Sequence, residues 1–156
     1  MAEPTLHDAR IINVQFGERV KIVRPVNLYG CAIGDDAFIG PFVEIQRDVS
    51  IGARTRVQSH AFICELVTIG ADCFISHGAM FINDLMSAGK PAFGARETWS
   101  KTVLGDRVMV GTNATILPVN ICSDVMIGAG SVVTRDITKP GIYAGNPARF
   151  VRAATK

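Results

Sequence analysis

The three histidines are unevenly placed. His7 stands alone, whereas His60 and His77 fall in one stretch that ends in the polar pair Asn83-Asp84. Imidazole titrates near neutral pH and is the side chain most often used to move protons. If the chain returns to the same place every eighteen residues, Pro41, Ser59 and His77 form one column and Arg47, Glu65 and Asn83 form another. His60 then comes beside His77 on the neighbouring turn. The expected chemistry is proton transfer at a histidine corner, with Asn83 and Asp84 beside it. Duller roles compete. Arg47 and Glu65 can form a surface ion pair, Asn83 and Asp84 can start a turn, and a lone His7 reads as solvated.

The elements that must position these residues are written in a period of six. Ile33, Ile39, Ile45, Ile51, Val57, Ile63, Ile69, Ile75 and Phe81 are six apart without a slip. The period returns at Leu104, Val110 and Ile116, loses one residue, and resumes at Ile121, Ile127 and Val133. A helix of 3.6 residues per turn would scatter such positions around its cylinder. Short strands joined by corners keep them on one face: Val43-Glu44-Ile45, Val67-Thr68-Ile69 and Cys73-Phe74-Ile75 each read in–out–in. Seven of the fifteen glycines directly follow the aliphatic position (Gly34, Gly40, Gly52, Gly70, Gly105, Gly111 and Gly128), where a corner asks for positive φ and close approach. Three hexads close a triangular coil, and coils stack about 4.8 Å apart in parallel register.

The period assigns residues 21–84 and 102–137 to coils, 1–20 to an N-terminal cap and 138–156 to a C-terminal cap, with a short helix after Pro147. Residues 85–101 break the period and carry Pro91, Gly89, Gly94 and the only tryptophan, Trp99. Extruded just after Asn83-Asp84, they read as a loop that covers substrate. On the outward positions Phe62 and Met80 stack in one column below Glu44, and Phe38 and Phe74 flank Arg56 in another. Exposed aromatics on a flat sheet call for a cover, which side-by-side packing of subunits would give.

Composition narrows the function classes. At 48% hydrophobic, 19% charged and a mean hydropathy of +0.27, the 156 residues make one globular domain, not a disordered chain. A net charge of +2 is too small for nucleic-acid binding, although Lys139, Arg149, Arg152 and Lys156 follow Asp136 with no acid among them, a tail suited to phosphates. The first ten residues do not read as a secretory signal, no apolar run reaches membrane-span length, and Cys31, Cys64, Cys73 and Cys122 lack metal-site spacing. A cytoplasmic protein with reduced thiols is expected.

The repeats IGDDAF, IGPFVE, IGARTR and IGADCF resemble the hexapeptide-repeat family, which implies an all-β, left-handed parallel β-helix. That resemblance supplies the hand; the period does not. Between Val20 and Arg152 the chain is most similar to nucleotide-linked amino-sugar N-acetyltransferases of bacterial surface-polysaccharide synthesis. The passages VNLYG, SHAFICELVTIG, FIND, GTNATILPV, IGAGSVV and YAGNPAR carry this likeness.

The resemblance implies a homotrimer, acetyl-CoA as donor in a groove between subunits, and an amino group on a nucleotide-activated deoxysugar as acceptor. It implies Asn83 or Asp84 on the acceptor amine, Glu65 and Trp99 near the sugar, and His77 or His60 as base unless the leaving sulfur takes the proton. Gly111, Thr112, Gly128 and Ala129 would face the pantetheine arm, and Arg149 a CoA phosphate. Three readings compete: a sugar O-acetyltransferase, a non-catalytic scaffold, and a zinc hydratase, which would need His7 to join His60 and His77. No metal is expected.

Overall fold

The computed structural model describes Thr5 and residues 8–154; His7 and Lys156 lie outside the described residues. Within them the chain winds as a left-handed parallel β-helix of three sheets with seven, six and eight strands. Inward-pointing aliphatic residues stack in register on each face. Leu28, Ile45 and Ile63 line up on the first, Ile33, Ile51 and Ile69 on the second, and Ile39, Val57 and Ile75 on the third. Leu28, Ile39, Ile45, Val57, Ile63 and Ile75 are fully buried, as alternating side chains on a closed prism require. Small inward residues complete the filling, among them Ala37, Ala61, Ala79 and Cys73. The four cysteines are free thiols, and burial pushes Cys31 up to about 11 and Cys64 up to about 12. These values suit core packing.

The boundaries differ from those read in the sequence. Winding starts at Ile11–Ile12, paired with Leu28 and Tyr29, so residues 11–20 are coil and not cap. The helix expected after Pro147 is a strand, Arg149–Arg152, folded antiparallel onto Gly141–Ala144. Gly141–Ala144 itself continues the third sheet, and the returning strand covers the open end. The broken segment holds one turn of 3-10 helix, Arg96–Thr98.

Positive φ at the corners falls two residues beyond the seven glycines, on Asp36, Phe42, Arg54, Asp72, Arg107 and Asn113 among others. The glycines serve close approach alone. A Cβ on Gly52 would meet the carbonyl carbon of Gly70 at 2.4 Å, and one on Gly34 the nitrogen of Ala53 at 2.8 Å. The left-handed residues between the second and third faces alternate in charge: Arg19, Asp36, Arg54, Asp72, Arg107, Asp124. Arg19 grips Asp36, Arg54 grips Asp72 and Arg107 grips Asp124, each with two bonds of 2.7 to 2.9 Å. In-register stacking puts neighbours directly above one another, and alternation turns repulsion into attraction.

Candidate active site

Two corners flank the first face. The corner entering it from the third face carries, rung by rung, Pro41-Phe42, Ser59-His60, His77-Gly78, Thr112-Asn113 and Ala129-Gly130. Backbone bonds from Gly78 to Ser59, Asn113 to His77 and Gly130 to Thr112 fix this order. His77 and Ser59 therefore share a column, as the eighteen-residue spacing predicts, and His77 Nδ1 lies 2.7 Å from Ser59 Oγ. His60 occupies the adjacent column, where its ring stacks on Phe42 at 4.8 Å with the planes 14° apart. The two imidazoles sit on one corner but engage different partners. Both are exposed.

Gly111, Thr112, Gly128 and Ala129 lie further along this same ridge. Gly111 must lack a side chain, since a Cβ would meet Ala129 N at 2.5 Å. The N–H of Gly111 is spent on Ile127 and that of Gly128 on Tyr143. Those of Thr112 and Ala129 find no acceptor among the described residues. Other corners fill comparable positions with side chains: Ala71 N donates to Asp106 Oδ1 at 2.8 Å and Asp106 N to Ser123 Oγ at 2.9 Å. The same neighbouring corner leaves the amides of Asp35, Ala53 and Ser123 without an acceptor among the described residues, so open amides occur on both ridges. Arg149 pairs in register with Ala144, whose Cβ would lie 3.0 Å from one on Gly128. It stands at the end of the ridge, exposed.

The corner leaving the first face carries the loop. Glu65, 7% exposed, takes Arg47 Nε at 3.2 Å on Oε1 and Arg96 Nε at 2.7 Å on Oε2. Arg96 also binds Asp48. The Arg96 contact is an ion pair, and Oε2 receives no other donor among the described residues. Trp99 Nε1 is likewise buried without an acceptor among the described residues. Asn83 Nδ2 donates to the Glu65 carbonyl at 3.2 Å, which leaves its own oxygen open. Asp84 spends both carboxylate oxygens on loop amides, Met86 N at 2.8 Å and Ala92 N at 2.7 Å, and lines a loop hollow of about 290 Å³ with Lys90 and Phe93.

Within one chain the expected set does not converge. His77 and Asn83 are six residues apart across an extended face, so they sit on its two edges, up to about 20 Å from each other. Glu65 is engaged with the loop's arginine, and Asp84 shapes the loop. Among the described residues no group of three His, Cys, Asp or Glu could hold a metal, and no helix is long and apolar enough to cross a membrane. Arg96 and Asp48 were not visible as site residues in the sequence, because the loop has no period to place Arg96. Phe42 did leave a trace: it is a large apolar residue at a corner position held mostly by Asp, Arg, Asn or Gly, with His60 and Leu66 the other exceptions.

Comparison with known proteins agrees with this architecture. Residues 30–65 match the model for bacterial transferase hexapeptide (six repeats), and residues 101–135 that for the hexapeptide repeat of succinyl-transferase. The bifunctional protein GlmU of Marinobacter nauticus is 32% identical over 119 residues, 70% of this chain and 26% of GlmU. The chain thus spans about a quarter of the length of that relative.

Among solved structures, a point mutant of AntD, an N-acyltransferase from Bacillus cereus in complex with dTDP and coenzyme A, superposes with a TM-score of 0.78 at 24% identity. The match covers 93% of this chain and 86% of AntD. A mutant GDP-perosamine N-acetyltransferase from Caulobacter crescentus, bound to CoA and GDP-perosamine, gives a TM-score of 0.64 at 21% identity over 94% of this chain and 55% of the other. At these identities the two structures testify to the fold. Residues 30–65 and 101–135 thus carry the hexapeptide repeats of bacterial transferases, and the prism that such repeats encode is in place.

Proposed function

We propose that the chain is an acyltransferase that moves an acetyl group from acetyl-CoA to the amino group of a nucleotide-linked amino-deoxysugar, a cytoplasmic step toward surface polysaccharide. The observation that carries this reading is the ridge on which the Ser59–His77 pair adjoins the open amides of Thr112 and Ala129. Open backbone donors suit the carbonyls of a pantetheine arm and the oxyanion of a tetrahedral intermediate. The bound molecules named for AntD and the perosamine enzyme support the same classes of donor and acceptor.

The step balances as follows. The neutral amine attacks the thioester carbonyl, a C–N bond forms, and the carbonyl electrons move to oxygen beside the open amides. With Nδ1–H donating to Ser59, His77 keeps the Nε2 lone pair outward and takes the amine proton. Collapse breaks the C–S bond, and the leaving thiolate is protonated from His77. Asn83 accepts a hydrogen bond from the amine with its free oxygen. Asp84, Glu65 and Trp99 hold the loop around the sugar, and Arg149 meets a CoA phosphate at the end of the ridge.

Asn83 and His77 sit a face apart, so the site is completed between subunits, where the loop corner of one prism meets the histidine ridge of the next. A homotrimer also covers the outward column of Phe38, Arg56, Phe74, Met109 and Met126, in which Met109 and Met126 are 46% and 40% exposed. The test is thiol release from acetyl-CoA across a panel of nucleotide amino-sugars, with mass analysis of the product. An amide product is expected. An ester product, or thiol release only with hydroxyl acceptors, replaces this reading by O-acetylation, and no release with any acceptor sinks it.

A further inference from the structure

We propose that Phe42 is the platform on which the nucleobase of the acceptor stacks, in the hollow beside it at the N-terminal end of the histidine ridge. This inference rests on the acceptor class proposed above and assigns a seat to its nucleotide.

Phe42 is an anomaly of the fold. It holds φ of +60°, a conformation costly for a bulky side chain, and the residue is 56% exposed. Left-handed corners here otherwise fall mostly to charged or amide residues and glycine, which tolerate both water and the conformation. Strain and apolar exposure together mark a position held for a ligand. One ring face is taken by His60. The ring also borders a hollow of about 270 Å³ that is shared with Pro25, Asn27 and Glu44.

The hollow has the parts a base requires. Asn27 Nδ2 donates to Glu44 Oε2 at 3.2 Å, and Gln46 Nε2 donates to Oε1 at 2.8 Å. Each carboxylate oxygen retains a lone pair and the Asn27 amide retains a hydrogen, so a donor and an acceptor stand side by side for a base edge. A second hollow of about 600 Å³ adjoins through Ala9, Pro25 and Val26 and is lined by Arg10 and Arg24. Neither guanidinium has an ion-pair partner among the described residues, whereas Arg19, Arg54 and Arg107 are all paired with aspartates. Both arginines stand on the side of Phe42 away from His77, so they give the seat a positive surround and do not bind the diphosphate.

Register supplies the direction. Phe42 is two rungs from His77, about 10 Å along the ridge. Ribose and diphosphate bridge that interval past Ser59 and His60, which sets the sugar at His77. The Thr112 and Ala129 amides lie on the far side, so the donor approaches from the opposite end.

Calorimetric titration with uridine, thymidine and guanosine diphosphates, and separately with coenzyme A, tests the assignment on the full chain. Wild type is expected to bind at least one of the three. Phe42→Ala should weaken that binding about tenfold, Phe42→Tyr should restore most of it, and coenzyme A affinity should stay as in wild type, which also certifies folding. Should Phe42→Ala be too unstable, Asn27→Ala with Glu44→Gln should alter the preference among the three bases. Unchanged affinity and preference in these variants overturn the platform and leave the transferase reading intact. A tenfold loss for coenzyme A alone assigns the seat to the donor's adenine and also overturns it. Failure of wild type to bind any of the three, with coenzyme A bound, removes the nucleotide-linked acceptor and the platform together.

Discussion

His77 Nδ1 and Ser59 Oγ, eighteen residues apart in the chain, lie 2.7 Å apart on adjacent rungs of one corner. The contact couples the tautomer of the imidazole to the hydroxyl rotor. When the ring donates through Nδ1, Nε2 points to solvent as a lone pair. His60, stacked on Phe42, has no such hydrogen-bonded partner among the described residues.

The pair therefore separates the two histidines by experiment. His77→Asn should lower kcat/KM by about 100- to 10,000-fold, the usual contribution of a positioned base, and flatten the acidic limb of the pH–rate profile. Ser59→Ala should cost about tenfold and keep that limb. His60→Ala should keep it too. A limb that persists in His77→Asn would mean that the leaving sulfur receives the proton directly.

At the other corner, the Arg96 guanidinium ties the loop to the prism through Glu65 and Asp48. Glu65 is the buried member, and Arg47 alone would be left to balance it if Arg96 were removed. Arg96→Ala should speed proteolysis within residues 85–101 several-fold and raise KM for the acceptor, with a smaller effect on kcat. Arg96→Lys should rescue only part, because an ammonium cannot reproduce the fork that meets two carboxylates. Limited proteolysis and steady-state kinetics read both effects.

Much of this fold is legible in the sequence because a six-residue period constrains every inward position. Once Ile45 and Ile63 are placed, the Ser59–His77 column follows by counting. The loop between Asp84 and Ser100 escapes because no period runs through it, so the docking of Arg96 on Glu65 depends on contacts that only the folded chain reveals. The end strand Arg149–Arg152 escapes for a related reason: Pro147 suits a helix start, but the open sheet edge at Gly141–Ala144 supplies hydrogen bonds that a helix would waste. The corner glycines were legible in position but not in cause. The left-handed residues come two places later, and the glycines admit the next coil.

That distinction predicts two kinds of glycine. Gly52→Ala drives a methyl into the backbone of Gly70 and should destabilise the chain by about 1–3 kcal/mol through overpacking. Gly130→Ala meets nothing within 4 Å but must hold φ of +67°, so its cost is the left-handed penalty, about 1–2 kcal/mol. Asparagine at 130 should recover part of the loss, as Asn113 occupies the same column at φ of 56°. Asparagine at 52 should recover none. Denaturant unfolding of the four variants separates the two mechanisms.

The alternating ladder predicts how the prism responds to acid. Hydrogen bonds from Arg19 hold the Asp36 carboxyl below the usual range, and those from Arg54 do the same for Asp72, outweighing the opposing effect of desolvation. A carboxylate depressed in the folded state contributes its stability in full above the unfolded value, near 3.9, and loses it as pH falls through the lower folded value. The melting temperature should therefore hold between neutrality and about pH 5 and then fall below about pH 4. Asp36→Asn with Asp72→Asn should lower it at neutral pH and flatten the acid decline. Because these pairs are solvent-exposed, 1 M salt should mimic much of the neutral-pH loss in wild type and add little to the double variant. A decline that keeps its full depth in the double variant would place the acid-sensitive groups outside the ladder.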